Sequence, residues 1–313
     1  MKSISKMMIA FAFIFGFVGC EKYADYIYDY SYSGVGFGAQ QPVRTLVSRT
    51  GNDYLEFKIG VALAGLRENR KGYSATFEID PDLLNTLDGA DQFKQLPADW
   101  YTIESNNNTF VIPPGKFLGD CPVKIDKKKF TDDPEALTNT YALPLRLLST
   151  TADSLIADKD YTVIVIKYID EHSGSYYCKG TQAEWDGAAI VPGTTNQYAH
   201  VDLSKNKVRA LTTLSLTEFV MEGMGTLVIT DIEEYGLDHL IVKLVAGAVT
   251  LETKAGSNPI EDLMSSYNAD TKTFTLNYIY TYKGKDFLVN EVLTLRQDVE
   301  KELRYEKWQK KVD

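Results

Sequence analysis

The chain has few of the side chains that carry metal or nucleophilic chemistry. Its 313 residues include three cysteines and three histidines. His172, His200 and His239 are far apart in sequence, and none lies at helical spacing from another or beside a cysteine pair. Zinc sites need three or four such ligands at short, regular spacings. We therefore expect no metal centre.

The chain also has fewer basic than acidic residues. Its 33 lysines and arginines stand against 43 aspartates and glutamates, which gives a formal net charge of −10. Such a surface disfavours nucleic acids and anionic lipid headgroups as partners. Neither a Gly-x-Ser-x-Gly nucleophile elbow nor a glycine-rich loop ending in Lys-Ser/Thr is present, so no motif indicates a hydrolase or a nucleotide cofactor. We expect a protein that is not an enzyme and has no cofactor.

Long apolar runs are absent after residue 17, but the first twenty residues are distinctive. They read MKSISKMMIAFAFIFGFVGC, with two early lysines, an apolar run from Met7 to Phe17, and Gly19 before Cys20. This is the plan of a secretory signal, and the small residue before the cysteine resembles the bacterial lipobox. The run of about 11 residues is too short for a transmembrane helix, which needs roughly 20. We predict a signal peptide over residues 1–19 and a lipid thioether on Cys20, which would attach the chain to a membrane. The alternative is an ordinary secretory signal with an incidental thiol.

Two further cysteines allow at most one internal disulfide. Cys121 and Cys178 lie in different predicted domains. An exported compartment permits their pairing without requiring it. Two separate buried thiols are the favoured interpretation, and the disulfide stays open.

The remaining chain is long enough for two domains, and strand patterns dominate it. A tyrosine-rich tether over residues 20–33 precedes them; it is read as a linker, the alternative being a sugar-contacting segment. Residues 34–170 contain about seven short strands separated by turns, which is typical of a β-sandwich. Pro144 indicates that its strand lies at a sheet edge or has a bulge.

A polar stretch after residue 170 separates this region from a second strand series over residues 174–296. This series includes Val201 to Leu203 and Leu227 to Ile229, and it ends in a hairpin that turns at Lys283–Asp286. Its long antiparallel strands fit a barrel, including one of lipocalin type, or a second sandwich. Residues 297–313 are charged and predicted to be a tail or helix.

Several motifs in the first region resemble a known family. They are FEIDPDLLNTLDG, LPADWY, IPPGK and YALPL, in this order. They are similar to domain-of-unknown-function family 1735, an immunoglobulin-like N-terminal domain of Bacteroidetes lipoproteins. The second region, with GSYY and the closing hairpin, resembles the companion family 4361. The overall expectation is an all-β chain: an immunoglobulin-like sandwich followed by an antiparallel barrel or sandwich.

The resemblance implies a cellular context. Such lipoproteins are anchored in the outer membrane and are often encoded beside glycan import systems, so a polysaccharide or oligosaccharide and an outer-membrane import complex are the expected partners. Glu21 is followed at once by Lys22, which leaves the surface and periplasmic faces of the membrane undecided.

Sugar recognition needs flat aromatic faces with polar neighbours. Trp185, in a polar loop with Gln182 and Glu184, is the first candidate, followed by Trp100 with Tyr101. The alternative for each is packing inside a domain. Two functions are thus predicted: a lipoprotein that binds or presents a glycan, or an assembly lipoprotein that docks on an outer-membrane complex without sugar contact.

Overall fold

The computed structural model describes residues 32–226, 239–253 and 260–310, and it is built almost entirely of strands. The strands of the first half are β1 (Gly34–Phe37), β2 (Pro42–Ser48), β3 (Tyr54–Ala64), β4 (Tyr73–Ile79), β5 (Lys94–Gln95), β6 (Tyr101–Ile103), β7 (Thr109–Ile112), β8 (Leu118–Asp126), β9 (Tyr141–Thr150), β10 (Ser154–Leu155) and β11 (Tyr161–Asp170). Two short helices accompany them, α1 (Leu83–Thr86) and α2 (Lys127–Thr131).

The strands of the second half are β12 (Gly174–Trp185), β13 (Asn196–Tyr198), β14 (Lys207–Thr213), β15 (Glu218–Glu222), β16 (His239–Val245), β17 (Ala248–Thr253), β18 (Ile260–Asp262), β19 (Ser266–Asn268), β20 (Thr273–Tyr282), β21 (Lys285–Leu295) and β22 (Glu306–Lys307). One helical turn, α3 (Val299–Glu302), precedes β22. The all-β expectation is confirmed.

The first domain is an immunoglobulin-like sandwich of two sheets. One has the order β10-β1-β3-β8-β6, and the other the order β22-β2-β11-β9-β4-β7, with β5 added beside β9. Strand β3 shows why these residues form a sheet: its apolar residues from Leu55 to Leu63 alternate with exposed or half-buried ones. A period of two places all of the apolar side chains on the face that meets the opposite sheet.

The second domain is a closed barrel. Eight strands pair around a ring in the order β12-β14-β15-β16-β17-β19-β20-β21, and β21 pairs again with β12. The predicted hairpin is confirmed as β20 and β21, with Tyr282 opposite Lys285 at the turn. Ring closure decides between the two predicted architectures in favour of the barrel, since a sandwich would leave edges in both sheets.

One alternative for the Pro144 strand is confirmed, and one strand prediction is wrong. Strand β9 has a bulge: its register with β4 shifts between Thr76 and Phe77, which leaves Leu148 without a partner residue. The other alternative, an edge position, does not apply to Pro144, because β9 has β11 on one side and β4 on the other. Pro144 is tolerated there because β4 ends beside it, where the N–H of Asp80 donates to the Pro144 carbonyl. Val201, predicted in a strand, is fully exposed in a loop, and a 3₁₀ turn starts at Leu203. The predicted strand over residues 227–229 lies outside the described residues.

The C-terminal segment returns to the first domain. After α3, strand β22 pairs with β2, and Trp308 is buried in a cluster with Leu83, Phe93 and Val163 on the outer side of the sandwich. The chain therefore crosses between the domains twice, once between β11 and β12 and once after β21.

Candidate functional site

Trp185 stands at the end of β12 and is half-buried. Tyr176, Cys178 and Gln182 of the same strand are buried, and since successive side chains alternate between the two faces, Trp185 belongs to the outer face of the barrel. It is opposite Asp286 of β21, which is opposite Thr281 of β20. The Thr281 hydroxyl donates to Asp286 Oδ1 at 2.7 Å. An indole, a carboxylate and a hydroxyl thus form one row across three strands.

The neighbouring rows of this outer face alternate in character. An apolar row comes next, followed by a polar one, and the two rows consist of Ala183, Leu288 and Ile279, and of Thr181, Asn290 and Asn277. We call these three rows the Trp185 face. Ala183 and Ile279 are buried and Leu288 is half-buried, so the surface open to a ligand is the Trp185 ring with the polar groups around it. An aromatic ring beside amide and hydroxyl groups can stack on a pyranose and hydrogen-bond to its hydroxyls.

The loop that follows Trp185 is held by its own carboxylate. Asp186 Oδ1 accepts the backbone N–H groups of Ala188 at 2.9 Å and Ala189 at 2.7 Å. These two hydrogen bonds favour the ionised carboxylate and lower the pKa of Asp186. Gln182, predicted as a polar neighbour of the sugar site, is instead buried in the barrel interior.

Trp100 and Tyr101 lie in the sandwich and not beside Trp185. The Trp100 ring is 5.3 Å from the ring of Tyr141 and 6.3 Å from that of Phe130, centroid to centroid, and it packs against the sandwich core. The hydroxyl of Tyr101 is buried without a hydrogen-bond partner among the described residues, and burial raises its pKa. These two aromatics serve packing here. Cys20 lies outside the described residues.

The barrel interior holds a charged cluster that sequence reasoning missed. Glu291 is wholly buried, and its Oε1 lies 3.0 Å from Arg209 Nη2. The hydroxyls of Tyr198 and Tyr278 donate to the Glu291 carboxylate at 2.8 and 3.1 Å. Burial, followed by the charge of Glu291, raises the pKa of both tyrosines. We call these four residues the interior polar cluster.

The loop that contains Gly225 is hydrogen-bonded to this cluster. Gly225 donates its N–H to the Tyr278 hydroxyl at 2.9 Å and accepts from Arg209 Nη2 at 2.5 Å. A Cβ at this position would lie 2.1 Å from Gln182 Oε1, and the φ of +48° is itself one that glycine adopts most readily. Because each described member has partners inside the barrel, the cluster holds the fold together and offers no open group to a substrate. The signal that could have revealed it was Glu291 at an inward position between Val289 and Leu293.

The two cysteines among the described residues do not form a disulfide. Cys121 and Cys178 are both buried and unpaired, as the favoured interpretation had it. Within the ranges that the structure covers, no group of three or more His, Cys, Asp or Glu side chains could hold a metal ion. No helix there is long and apolar enough to cross a membrane.

Comparisons with known proteins place the fold. Residues 28–154 match a family model described as a "-like, N-terminal domain". A solved structure of a protein of unknown function from Bacteroides ovatus is 18% identical, covers 86% of this chain and 95% of that chain, and superposes with a TM-score of 0.64. This likeness shows that the sandwich-plus-barrel fold is shared across both domains. No curated protein matches the chain.

Two further structures are more distant. A multidomain protein including DUF1735 from Bacteroides ovatus is 13% identical over 85% of this chain and 94% of that one, with a TM-score of 0.40. An auxiliary nutrient binding protein from Bacteroides thetaiotaomicron is 14% identical over 81% and 90%, with a TM-score of 0.39. The family match falls in the half of the chain whose motifs resemble family 1735. The resemblance of the second half to family 4361 stays a prediction.

Proposed function

We propose that this chain is a non-catalytic, lipid-anchored cell-envelope protein that binds a glycan on the Trp185 face. The observation that carries the proposal is the row formed by Trp185, Asp286 and Thr281, beside an apolar strip and a row of amides and hydroxyls. Sugars are recognised by this combination of an aromatic plane and fixed polar groups. A glycan captured there would be presented to an import system in the outer membrane.

The anchor is the lipid on Cys20. Gly19 before the cysteine and the short apolar run support lipidation, and several acyl chains on one residue would hold the protein far more firmly than one chain does. Growth with a clickable palmitate analogue should label the wild-type chain, and Cys20→Ala should remove the label. An unlabelled wild type, or equal labelling of both, would refute the anchor.

A glycan array followed by affinity gels tests the sugar site. The chain from residue 21 onward is screened first, and any glycan retained is cast into gels. Trp185→Ala should weaken retention about fivefold, because stacking on an aromatic ring contributes on the order of 1 kcal/mol. Tyr54→Ala, which removes an exposed aromatic from the sandwich, is the matched control and should leave retention unchanged. Normal mobility of the wild type across a broad polysaccharide panel would count against the proposal.

A second function is favoured by one surface of the sandwich. Val111 and Leu118 are 59% and 67% exposed and line a shallow cleft of about 570 Å³ together with Pro113 and Phe117. Exposed apolar side chains grouped in this way mark docking surfaces. An assembly lipoprotein would use this cleft against an outer-membrane complex. Cross-linking in cells that is lost in Leu118→Glu, with glycan binding absent throughout, would favour this second function over the first.

A further inference from the structure

A second cleft opens along one side of the sandwich, between β2 and β3. It has a volume of about 330 Å³, and the residues that matter here are Arg44, Lys58, Gly60, Thr162 and Tyr305. We call it the seam cleft. It lies in the first domain, whereas the Trp185 face belongs to the barrel.

The returning C-terminal segment places an aromatic ring at the mouth of this cleft. Strand β22 pairs with β2 through Pro42 opposite Lys307 and Val43 opposite Glu306. One more step along the same antiparallel register sets Tyr305 beside Arg44. Tyr305 is 59% exposed, and the Lys307 ammonium lies 6.0 Å from the centroid of its ring.

Arg44 is the unusual residue in this cleft. It is half-buried, and among the described residues it has neither a hydrogen-bond nor an ion-pair partner. By contrast, Arg49 is bound to Asp298 and Glu300. The chain has 43 acidic residues, so carboxylates are abundant, yet in the described part of the chain none forms an ion pair with this guanidinium. A charge taken partly out of water is stabilised by a counter-ion, which indicates that an external anion fits here.

The wall of the cleft adds main-chain donors. Pairing of β1 with β3 ends at Phe37 and Val61, and no described strand pairs with residues 54–60 of β3 on that side. Leu63 donates its N–H to Phe117 on the opposite side. Because the direction of backbone groups alternates along a strand, Lys58 and Gly60 direct both their N–H and their C=O groups towards the seam cleft, and the two N–H groups can donate to a bound anion. The Lys58 ammonium at the rim is paired with Asp120 Oδ1 at 3.1 Å, which leaves Arg44 as the cation in the cleft without a carboxylate among the described residues.

The floor of the cleft contains an unsatisfied hydroxyl. Thr162 is 2% exposed, and its Oγ1 has no partner among the described residues. Buried hydroxyls are normally hydrogen-bonded, and one left without a partner destabilises the folded state. The hydroxyl is covered by neighbouring atoms, so it marks a polar floor and is not itself a contact for a bound molecule.

We propose that the seam cleft binds the anionic substituent of an acidic sugar, with the sugar ring against Tyr305 and the charge on Arg44. A guanidinium pairs well with either a carboxylate or a sulfate ester, since both present two oxygens to its planar fork. The site shares no residue with the Trp185 face, so binding in the seam cleft can be tested independently of the function proposed above.

Calorimetric titration of the chain from residue 21 onward with three related oligosaccharides tests the site. The probes are oligogalacturonate, a sulfated galactan fragment and its neutral galactan counterpart. We expect one or both acidic probes to bind and the neutral probe to bind at least tenfold more weakly, because the neutral probe lacks the charged group that hydrogen-bonds to Arg44. The acidic probe that binds shows whether the recognised anionic group is a carboxylate or a sulfate ester.

Arg44→Gln and Arg304→Gln are the matched variants. Both remove one positive charge, but Arg304 is exposed and lies outside the cleft lining. Arg44→Gln should lose at least tenfold in affinity for the acidic probe, whereas Arg304→Gln and Trp185→Ala should keep it. Equal affinities for neutral and acidic probes, no binding of either acidic probe, or full affinity in Arg44→Gln would overturn the proposal.

Discussion

We predict that the buried side chain of Trp308, near the end of the chain, stabilises the sandwich. Its side chain is 3% exposed, and its Nε1 donates to the Val163 carbonyl at 2.7 Å. The ring meets Phe93 edge-on, with 5.2 Å between centroids and 73° between planes. Truncating a buried tryptophan to alanine costs about 3–5 kcal/mol of unfolding free energy. Trp308→Phe keeps most of the packing and loses the hydrogen bond, so about 1–2 kcal/mol is expected.

Urea unfolding followed by circular dichroism measures these values by linear extrapolation. Tyr305→Ala is the control: this neighbour is largely exposed, and its loss should change stability by about 0.5 kcal/mol or less. Limited trypsin digestion gives a second readout, since release of β22 from β2 exposes the bonds after Arg304 and Lys307. If Trp308→Ala costs less than about 1 kcal/mol and digestion at these bonds is no faster than in the wild type, the segment does not clamp the sandwich.

The remaining predictions concern buried groups. Burial raises the pKa of the Cys121 thiol to about 11 and that of Cys178 to about 12. Ellman's reagent at pH 8 should therefore label neither thiol in the native protein and both after unfolding. Rapid labelling of either thiol in the native protein would contradict this prediction. Burial also raises the pKa of Tyr168 from 10.0 to about 12. The folded state then binds the phenol proton more tightly than the unfolded state, so this contribution to stability is complete below pH 10 and is lost as the pH rises through 12. A melting temperature that stays constant over that range would refute this prediction. Glu291→Leu alone should lower the free energy of unfolding by about 3–5 kcal/mol, because it leaves Arg209 buried without its carboxylate. Adding Arg209→Met should recover much of that stability in thermal unfolding. If the effects of the two substitutions are simply additive, the two charges are not coupled.

Local patterns predicted the strands well. The alternation from Leu55 to Leu63 identified β3 and its buried face, and the tyrosine-rich hairpin identified β20 and β21, because burial on one face of a strand leaves a period of two in the sequence. Closure of the barrel could not be predicted in this way. It depends on β21 pairing with β12, more than a hundred residues away in sequence, and alternation does not specify a partner.

The candidate sites show the same division. Trp185 was found from its residue type and polar setting, but its partners Asp286 and Thr281 come from other strands and become neighbours only through barrel register. Arg44 gave no local signal, since the absence of a partner is a property of three-dimensional surroundings. Gln182 was placed wrongly because the polar composition around it indicated a loop. Strand β12 in fact continues to residue 185, and the alternation of side chains along it directs Gln182 into the barrel.

The two domains are joined in a way that restricts a hinge between them. At the first crossing, His172 Nδ1 lies 2.7 Å from Asp170 Oδ1, and the His172 ring packs 5.0 Å from that of Tyr267 in the barrel. At the second, Arg49 of the sandwich binds Asp298 at 3.0 Å. A single linker leaves domains free to rotate, but rotation about one of these crossings would have to break the contacts at the other. Movement of the Trp185 face relative to the seam cleft would therefore have to disrupt the contacts at both crossings.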